Sequence, residues 1–174
     1  MGTILRSTIT PQLGGDTMFA RMAAAFEGLK DEMQRLVSTL EGVFDFEPSR
    51  SLFGSDPDNK NRLRKIEDKY PIHTHPVVRV HPESGRKSIF VNLQFTISIK
   101  GMKDSESIAL LTMLFDLAKV PKYQFRHQWE PNTLVIWDNR CVLYYAIHDY
   151  YPQRRRMERS TIAGDQPFGM DAPS

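Results

Sequence analysis

Alternation between apolar and polar positions dominates the second half of the chain. Ile89, Val91, Leu93, Phe95, Ile97 and Ile99 fall on every second residue, the spacing at which one face of a β-strand meets a core. The pattern predicts one continuous strand over residues 89–99. Weaker runs predict strands over 77–80, 123–129, 134–137, 141–148 and 157–162, with Tyr123, Phe125 and Trp129 on one face. The β-branched opening Thr3-Ile4-Leu5-Arg6-Ser7-Thr8-Ile9-Thr10 predicts another strand, as if the fold began part-way through a sheet. Helical spacing appears in three places. Gly14-Gly15 reads as a turn, and Asp16 or Thr17 as the cap of a helix running to about Leu29, with Phe19, Met22, Ala23 and Phe26 facing inward. A second helix follows Asp31, carrying Met33, Leu36, Val37 and Leu40. A third covers 104–118. Pro82-Glu83-Ser84-Gly85 is a turn. Residues 47–70 are polar, contain Pro48 and Pro57, and predict a long surface loop or lid. Many short strands with helices between them suggest a sandwich or jelly roll with inserted helices, although periodicity alone says only mixed and mostly β.

Composition adds bounds. At 174 residues, 40% hydrophobic and 25% charged, the chain is long enough and apolar enough for a single domain with a core, expected over 1–167 with a disordered tail at 168–174. A formal charge of +2 gives no reason to expect nucleic acid or an anionic membrane as partner. The single cysteine, Cys141, cannot form an internal disulfide, which suits a reducing compartment. No apolar run is long enough to span a bilayer, and a cytoplasmic protein is expected.

The most specific signal is in the last third. Trp137-Asp138-Asn139-Arg140 is followed by Asp149-Tyr150 and by Pro152-Gln153-Arg154-Arg155-Arg156-Met157-Glu158-Arg159. Gly14-Gly15-Asp16-Thr17, His75-Pro76-Val77-Val78-Arg79, Phe90-Val91-Asn92, Phe95-Thr96, Glu106-Ser107 and Trp129-Glu130-Pro131-Asn132 precede it in order. Together these motifs resemble the TauD/TfdA family of Fe(II)- and 2-oxoglutarate-dependent dioxygenases, from about Gly2 to Pro167. The resemblance implies an α+β fold, a double-stranded β-helix (jelly roll, clavaminate synthase-like) with inserted helices, whose N-terminal strands are expected to lie outside this chain.

The same resemblance implies roles. Arg155 would pair with the distal carboxylate of 2-oxoglutarate, a match of planar fork to carboxylate, and Thr17 would hydrogen-bond the same group. Arg159 would bind the anionic group of a small sulfonate, sulfate or carboxylate substrate, and Phe95 would wall the substrate pocket. Arg155 and Arg159 are four apart, so strand alternation places them on one face, while Arg154 and Arg156 are expected at the surface. The iron of this family is held by two His and one carboxylate. No His-x-Asp occurs in the chain, and Tyr144-Tyr145-Ala146 stands where the family carries His-Tyr-Ala. Neither a catalytic residue nor a metal ligand is therefore assigned, and a phenol is a poor substitute for imidazole on Fe(II). His73-Thr74-His75 has spacing that could chelate zinc, and His148 lies too far from Tyr144 for a simple ligand exchange. The implied reaction is hydroxylation of a small anionic substrate, not completed by this chain as it stands. The alternative is a non-catalytic binding module that keeps the arginines. Members of the family often associate, so a homo-oligomer is also implied.

Overall fold

The computed structural model describes residues 1–46, 61, 63, 65 and 68–169. In chain order its elements are β1 (Gly2–Ile9), β2 (Thr17–Arg21), α1 (Met22–Glu27), α2 (Asp31–Ser38), β3 (Glu41–Phe44), β4 (His73–Pro76), β5 (Val78–Val80), β6 (Lys87–Ile89), β7 (Thr96–Ile99), α3 (Asp104–Leu117), β8 (Gln124–His127), β9 (Leu134–Asp138), β10 (Val142–Ala146) and β11 (Arg156–Ile162). Strands outnumber helices, as the sequence pattern implies. Among the described residues no helix is long and apolar enough to cross a membrane. The residues fall into two compact units, one built from 1–28, 81–88 and 117–166, the other from 29–80, 89–116 and the stretch after Gln166.

The first unit contains two three-stranded antiparallel sheets, ordered β11-β1-β9 and β10-β2-β8. Thr3, Leu5 and Ser7 of β1 are buried while Arg6 is exposed, so alternation gives the strand an inner and an outer face. Leu5 lies opposite Val135 on one side and Arg159 on the other. Residues directly opposite in a ladder share a face, which puts all three on the same side of the sheet, with Arg159 exposed. In the second sheet Phe19 lies between Tyr144 and Phe125, and Thr17 between Ala146 and His127. Leu5, Phe19, Trp129 and Trp137 form the buried cluster between the sheets, with Val135, Val142 and Met157 against it. Burying each of these large side chains contributes about 2 kcal/mol.

Three local expectations fail in this unit. Asp16 and Thr17 do not cap a helix. Residues 17–21 are a strand paired on both edges, and only Met22–Glu27 is helical, starting after Arg21 without a side-chain cap. Two ladders outweigh a local capping preference. The strand predicted over 123–129 is short. Tyr123 ends a 3-10 turn beginning at Pro121, and β8 stops at His127. Phe125 is 60% exposed, whereas Tyr123 and Trp129 are buried.

In the second unit β3 pairs with β4 and β7. Ser107, Leu111 and Leu114 form the buried stripe of α3. The Ser107 hydroxyl accepts the Ile99 backbone N–H at 2.7 Å, tying the helix to β7. Arg79 is fully buried, its guanidinium 5.4 Å from the Phe90 ring centroid. The continuous strand expected over 89–99 is broken. Asn92 Oδ1 accepts the N–H groups of Gln94 (3.1 Å) and Phe95 (3.0 Å), and the Asn92 carbonyl accepts from Thr96. This side-chain turn competes with the ladder and leaves Leu93 73% exposed despite its in-phase position. The loop expected over 47–70 lies largely outside the described residues, as do residues 170–174 of the expected tail. Phe168 accepts the Val80 N–H at 3.0 Å.

Candidate functional site

The polar side chains that could take a ligand gather in the first unit, at one end of the interior between its two sheets. A turn brings them together. Gly14 and Gly15 adopt φ of +76° and +72°, a region open to glycine. The Gly15 N–H donates to Asp149 Oδ1 at 2.7 Å. A Cβ on Gly15 would lie 3.0 Å from Arg155 Cδ and 2.9 Å from Pro11 Cγ. The glycine therefore lets the chain before β11 lie against the start of β2, with Arg155 at the contact. Asp16 is buried beside this turn and accepts Arg126 Nε at 2.6 Å.

Thr17 is the centre of the cluster. Its Oγ1 accepts from Trp129 Nε1 at 3.0 Å and from Arg155 Nη2 at 3.3 Å. With both acceptor sites used, the hydroxyl hydrogen is left to donate. Arg155 is half-buried. Its guanidinium lies 5.9 Å from the Tyr150 ring centroid, and its Nε is buried without a hydrogen-bond partner. Burial pushes its pKa below the usual arginine range, against the pull of Tyr150 and Asp16. A half-buried cation with an unused donor is suited to an oxyanion.

Arg159 lies farther along β11. Its Nη1 donates to the Tyr144 hydroxyl at 3.3 Å, and the Tyr144 ring packs 4.8 Å from Trp137. Arg155, Arg159, Thr17 and Tyr144 thus belong to one unit. Arg154, Arg156 and Arg159 are all exposed, and only Arg155 of the four is half-buried. Phe95 belongs to the second unit, where its ring is 5.2 Å from Phe46.

The Trp-Asp-Asn-Arg turn holds the first unit together. Asp138 accepts from Arg140 Nε at 2.9 Å and Nη2 at 2.6 Å. His81 Nδ1 accepts backbone N–H groups of Glu83 and Ser84, which leaves Nε2 to donate to Asp138 at 3.0 Å. Desolvation opposes ionisation of Asp138, but the bonds from Arg140 and His81 outweigh it and hold the carboxyl well below the usual carboxylate range. Asn139 Nδ2 donates to Thr3 Oγ1 at 2.8 Å, tying the turn to β1.

Among the described residues no group of three His, Cys, Asp or Glu side chains is placed to hold a metal ion. His73 and His75 lie on β4 with rings 6.4 Å apart, and His75 packs against Phe44 and Phe90. Burial first, then the charges of His73 and Arg79, push His75 below the ordinary imidazole range. Tyr144 is already engaged with Arg159. The donor set described here does not fit a facial iron site. Thr17 and Arg155 together offer a hydroxyl and a guanidinium as donors, the chemistry that suits a carboxylate.

Sequence reasoning alone misses His127. It lies opposite Thr17 on β8, and its Nε2 is buried without a hydrogen-bond partner. The signal was present, because His127 stands two residues after Phe125 and shares its phase.

The chain has the jelly-roll fold of a class of oxygenases. A structure of a taurine dioxygenase from Burkholderia xenovorans superposes with a TM-score of 0.82 at 33% identity, covering 98% of this chain and 54% of that one. A structure of AAD-2 in complex with Mn(II) and N-oxalylglycine gives 0.81 at 28% identity, covering 95% and 64%. The profile of the taurine catabolism dioxygenase TauD, TfdA family matches residues 1–161, and the chain belongs to that family. An alpha-ketoglutarate-dependent sulfate ester dioxygenase of Pseudomonas putida is 36% identical over 172 residues, covering 97% of this chain and 57% of its own length. The (S)-phenoxypropionate/alpha-ketoglutarate-dioxygenase of Sphingobium herbicidovorans is 35% identical over 167 residues, covering 94% and 58%. The chain spans a little over half the length of these curated relatives.

Proposed function

We propose that this chain carries the 2-oxoglutarate- and anion-binding arginine strand of a dioxygenase that hydroxylates a small sulfonate, sulfate or carboxylate substrate. The observation that carries this reading is the meeting of Thr17 and Arg155, with a hydroxyl hydrogen and a guanidinium Nε left to donate. Arg155 and Thr17 hold the distal carboxylate of 2-oxoglutarate. Arg159 presents a second cationic fork for the substrate anion. When bound in a complete enzyme of this family, Fe(II) supplies the oxygen chemistry. The residues described here do not complete its ligand set, so this chain by itself does not couple 2-oxoglutarate decarboxylation to hydroxylation.

The Tyr144–Arg159 contact favours a second reading, a binding module that retains the anion site without the metal. One experiment separates the two. The purified chain is incubated aerobically with Fe(II), 2-oxoglutarate, ascorbate and a panel of alkyl sulfates, sulfonates and aryloxyalkanoates, while succinate and oxygen are followed. Succinate formed in proportion to protein and lost in Arg155→Gln establishes turnover and overturns the statement that this chain does not couple the reaction. Absence of succinate, with saturable 2-oxoglutarate binding, supports the binding module. Absence of both overturns the carboxylate assignment.

A further inference from the structure

We propose that His127 is a third arm of the carboxylate site, donating from Nε2 to the ligand oxygen left over by Arg155 and Thr17. The inference rests on the reading of the Thr17–Arg155 site given above and adds a ligand-binding residue to it.

Three observations converge. First, β2 and β8 pair antiparallel with Thr17 directly opposite His127. Residues so paired project to the same face with Cβ atoms about 5 Å apart, so the imidazole stands beside the Thr17 hydroxyl. Second, His127 Nε2 is buried and has no hydrogen-bond partner among the described residues. A buried ring nitrogen left without a partner costs roughly 1–3 kcal/mol. Arg155 Nε, on the guanidinium that reaches Thr17 Oγ1, is in the same condition. Two buried nitrogens without partners among the described residues, each on a residue that adjoins Thr17, and a hydroxyl with its hydrogen to spare, describe a site missing one acceptor. Third, Trp129 fixes the arrangement. Its Nε1 is committed to Thr17 Oγ1 at 3.0 Å, and its ring meets His127 edge-on, centroids 4.6 Å apart at 88°. One indole thereby holds both the hydroxyl and the imidazole in place before any ligand arrives, which is the requirement for a preorganised site.

The stoichiometry of donors and acceptors agrees. A carboxylate offers two oxygens and about four acceptor sites. The Arg155 fork and the Thr17 hydroxyl supply up to three donors, and His127 in its Nε2–H form supplies the next. A hydroxyl or amide terminus lacks the acceptors to use all of them, so His127 favours carboxylate-ended ligands.

The test uses the full chain and 2-oxoglutarate. Selective 15N labelling of histidine reports the ring nitrogens directly in wild type. On saturation with 2-oxoglutarate, the Nε2 resonance of His127 moves, and the exposed His73 of the second unit serves as internal control. In parallel, His127→Phe keeps an aromatic ring against Trp129 and removes the donor, while His127→Gln keeps a donor. We expect dissociation constants about tenfold weaker for His127→Phe and within about threefold of wild type for His127→Gln. Wild type that binds 2-oxoglutarate with an unmoved His127 resonance and an unchanged His127→Phe affinity overturns the role of His127 alone. Wild type that binds no 2-oxoglutarate overturns the underlying site, and His127 with it. The resonance experiment needs no variant, so a poorly folded His127→Phe does not rescue the proposal.

Discussion

Arg159 Nη1 meets the hydroxyl of Tyr144 at 3.3 Å, across the space between the two sheets of the first unit. The family resemblance sets Tyr144 where a distal histidine ligand is expected. At that position this chain carries a phenol that contacts an arginine. The phenol is 43% exposed, so the contact is a modest one. Tyr144→Phe is expected to lower stability by under about 1 kcal/mol while releasing Arg159. Urea denaturation measures the first effect. Titration with a simple alkyl sulfate measures the second, and affinity that stays level or rises identifies Tyr144 as a competitor for the arginine. A tenfold loss instead makes the phenol part of the anion site.

Arg155 is expected to matter for binding far more than for folding. Its cation is half-buried and its Nε donates to no group among the described residues. Arg155→Gln should weaken 2-oxoglutarate binding about tenfold to a hundredfold, the loss of a charge-assisted pair, with thermal stability unchanged or slightly raised. Calorimetric titration and a melting curve on the same sample check both halves.

Gly15 and Gly85 provide a matched comparison. Both have positive φ, +72° and +67°, so either change to alanine carries a backbone strain of roughly 1–2 kcal/mol. At Gly15 the new Cβ also meets Pro11 and Arg155, whereas at Gly85 no described residue lies within 4 Å. Gly15→Ala should therefore be the more destabilising, and it alone should weaken 2-oxoglutarate binding. Equal effects of the two variants on binding would mean that the turn does not position Arg155.

Asp138 governs the acid side of the stability curve. Its folded pKa is depressed by Arg140 and His81 against the cost of desolvation. A depressed carboxylate contributes stability that is complete above its unfolded value, about 3.9, and is lost as pH falls through the folded value. The window lies below about pH 4. Asp138→Asn should cost about 2 kcal/mol near neutral pH and flatten the acid limb. Urea unfolding from neutral pH down to pH 3 measures the difference, and parallel curves for the two proteins would remove Asp138 from that role.

Most of the strands were legible in the sequence because their inward positions are apolar and two apart, as with Val135 and Trp137 on β9. Where alternation misled, a polar side chain intervened. Asn92 turns the chain inside the strongest alternating run, and no hydrophobic count registers a side-chain oxygen capturing two backbone N–H groups. Thr17 read as a helix cap because capping is local, whereas its partners Ala146 and His127 are more than a hundred residues away. The arginines of the site were legible only through the family motif. His127 escaped notice because a lone histidine in phase with aromatics resembles any core residue. Its lack of a hydrogen-bond partner exists only in three dimensions.

The central claim is that Arg155 and Thr17 hold a carboxylate without help from a metal. Calorimetric titration of 2-oxoglutarate into the metal-free chain, repeated under anaerobic conditions with excess Fe(II), tests it most directly. Saturable one-to-one binding without metal, unchanged by Fe(II) and abolished in Arg155→Gln, is the expected result. Binding that appears only once Fe(II) is present would contradict the claim and place a functioning metal site in this chain.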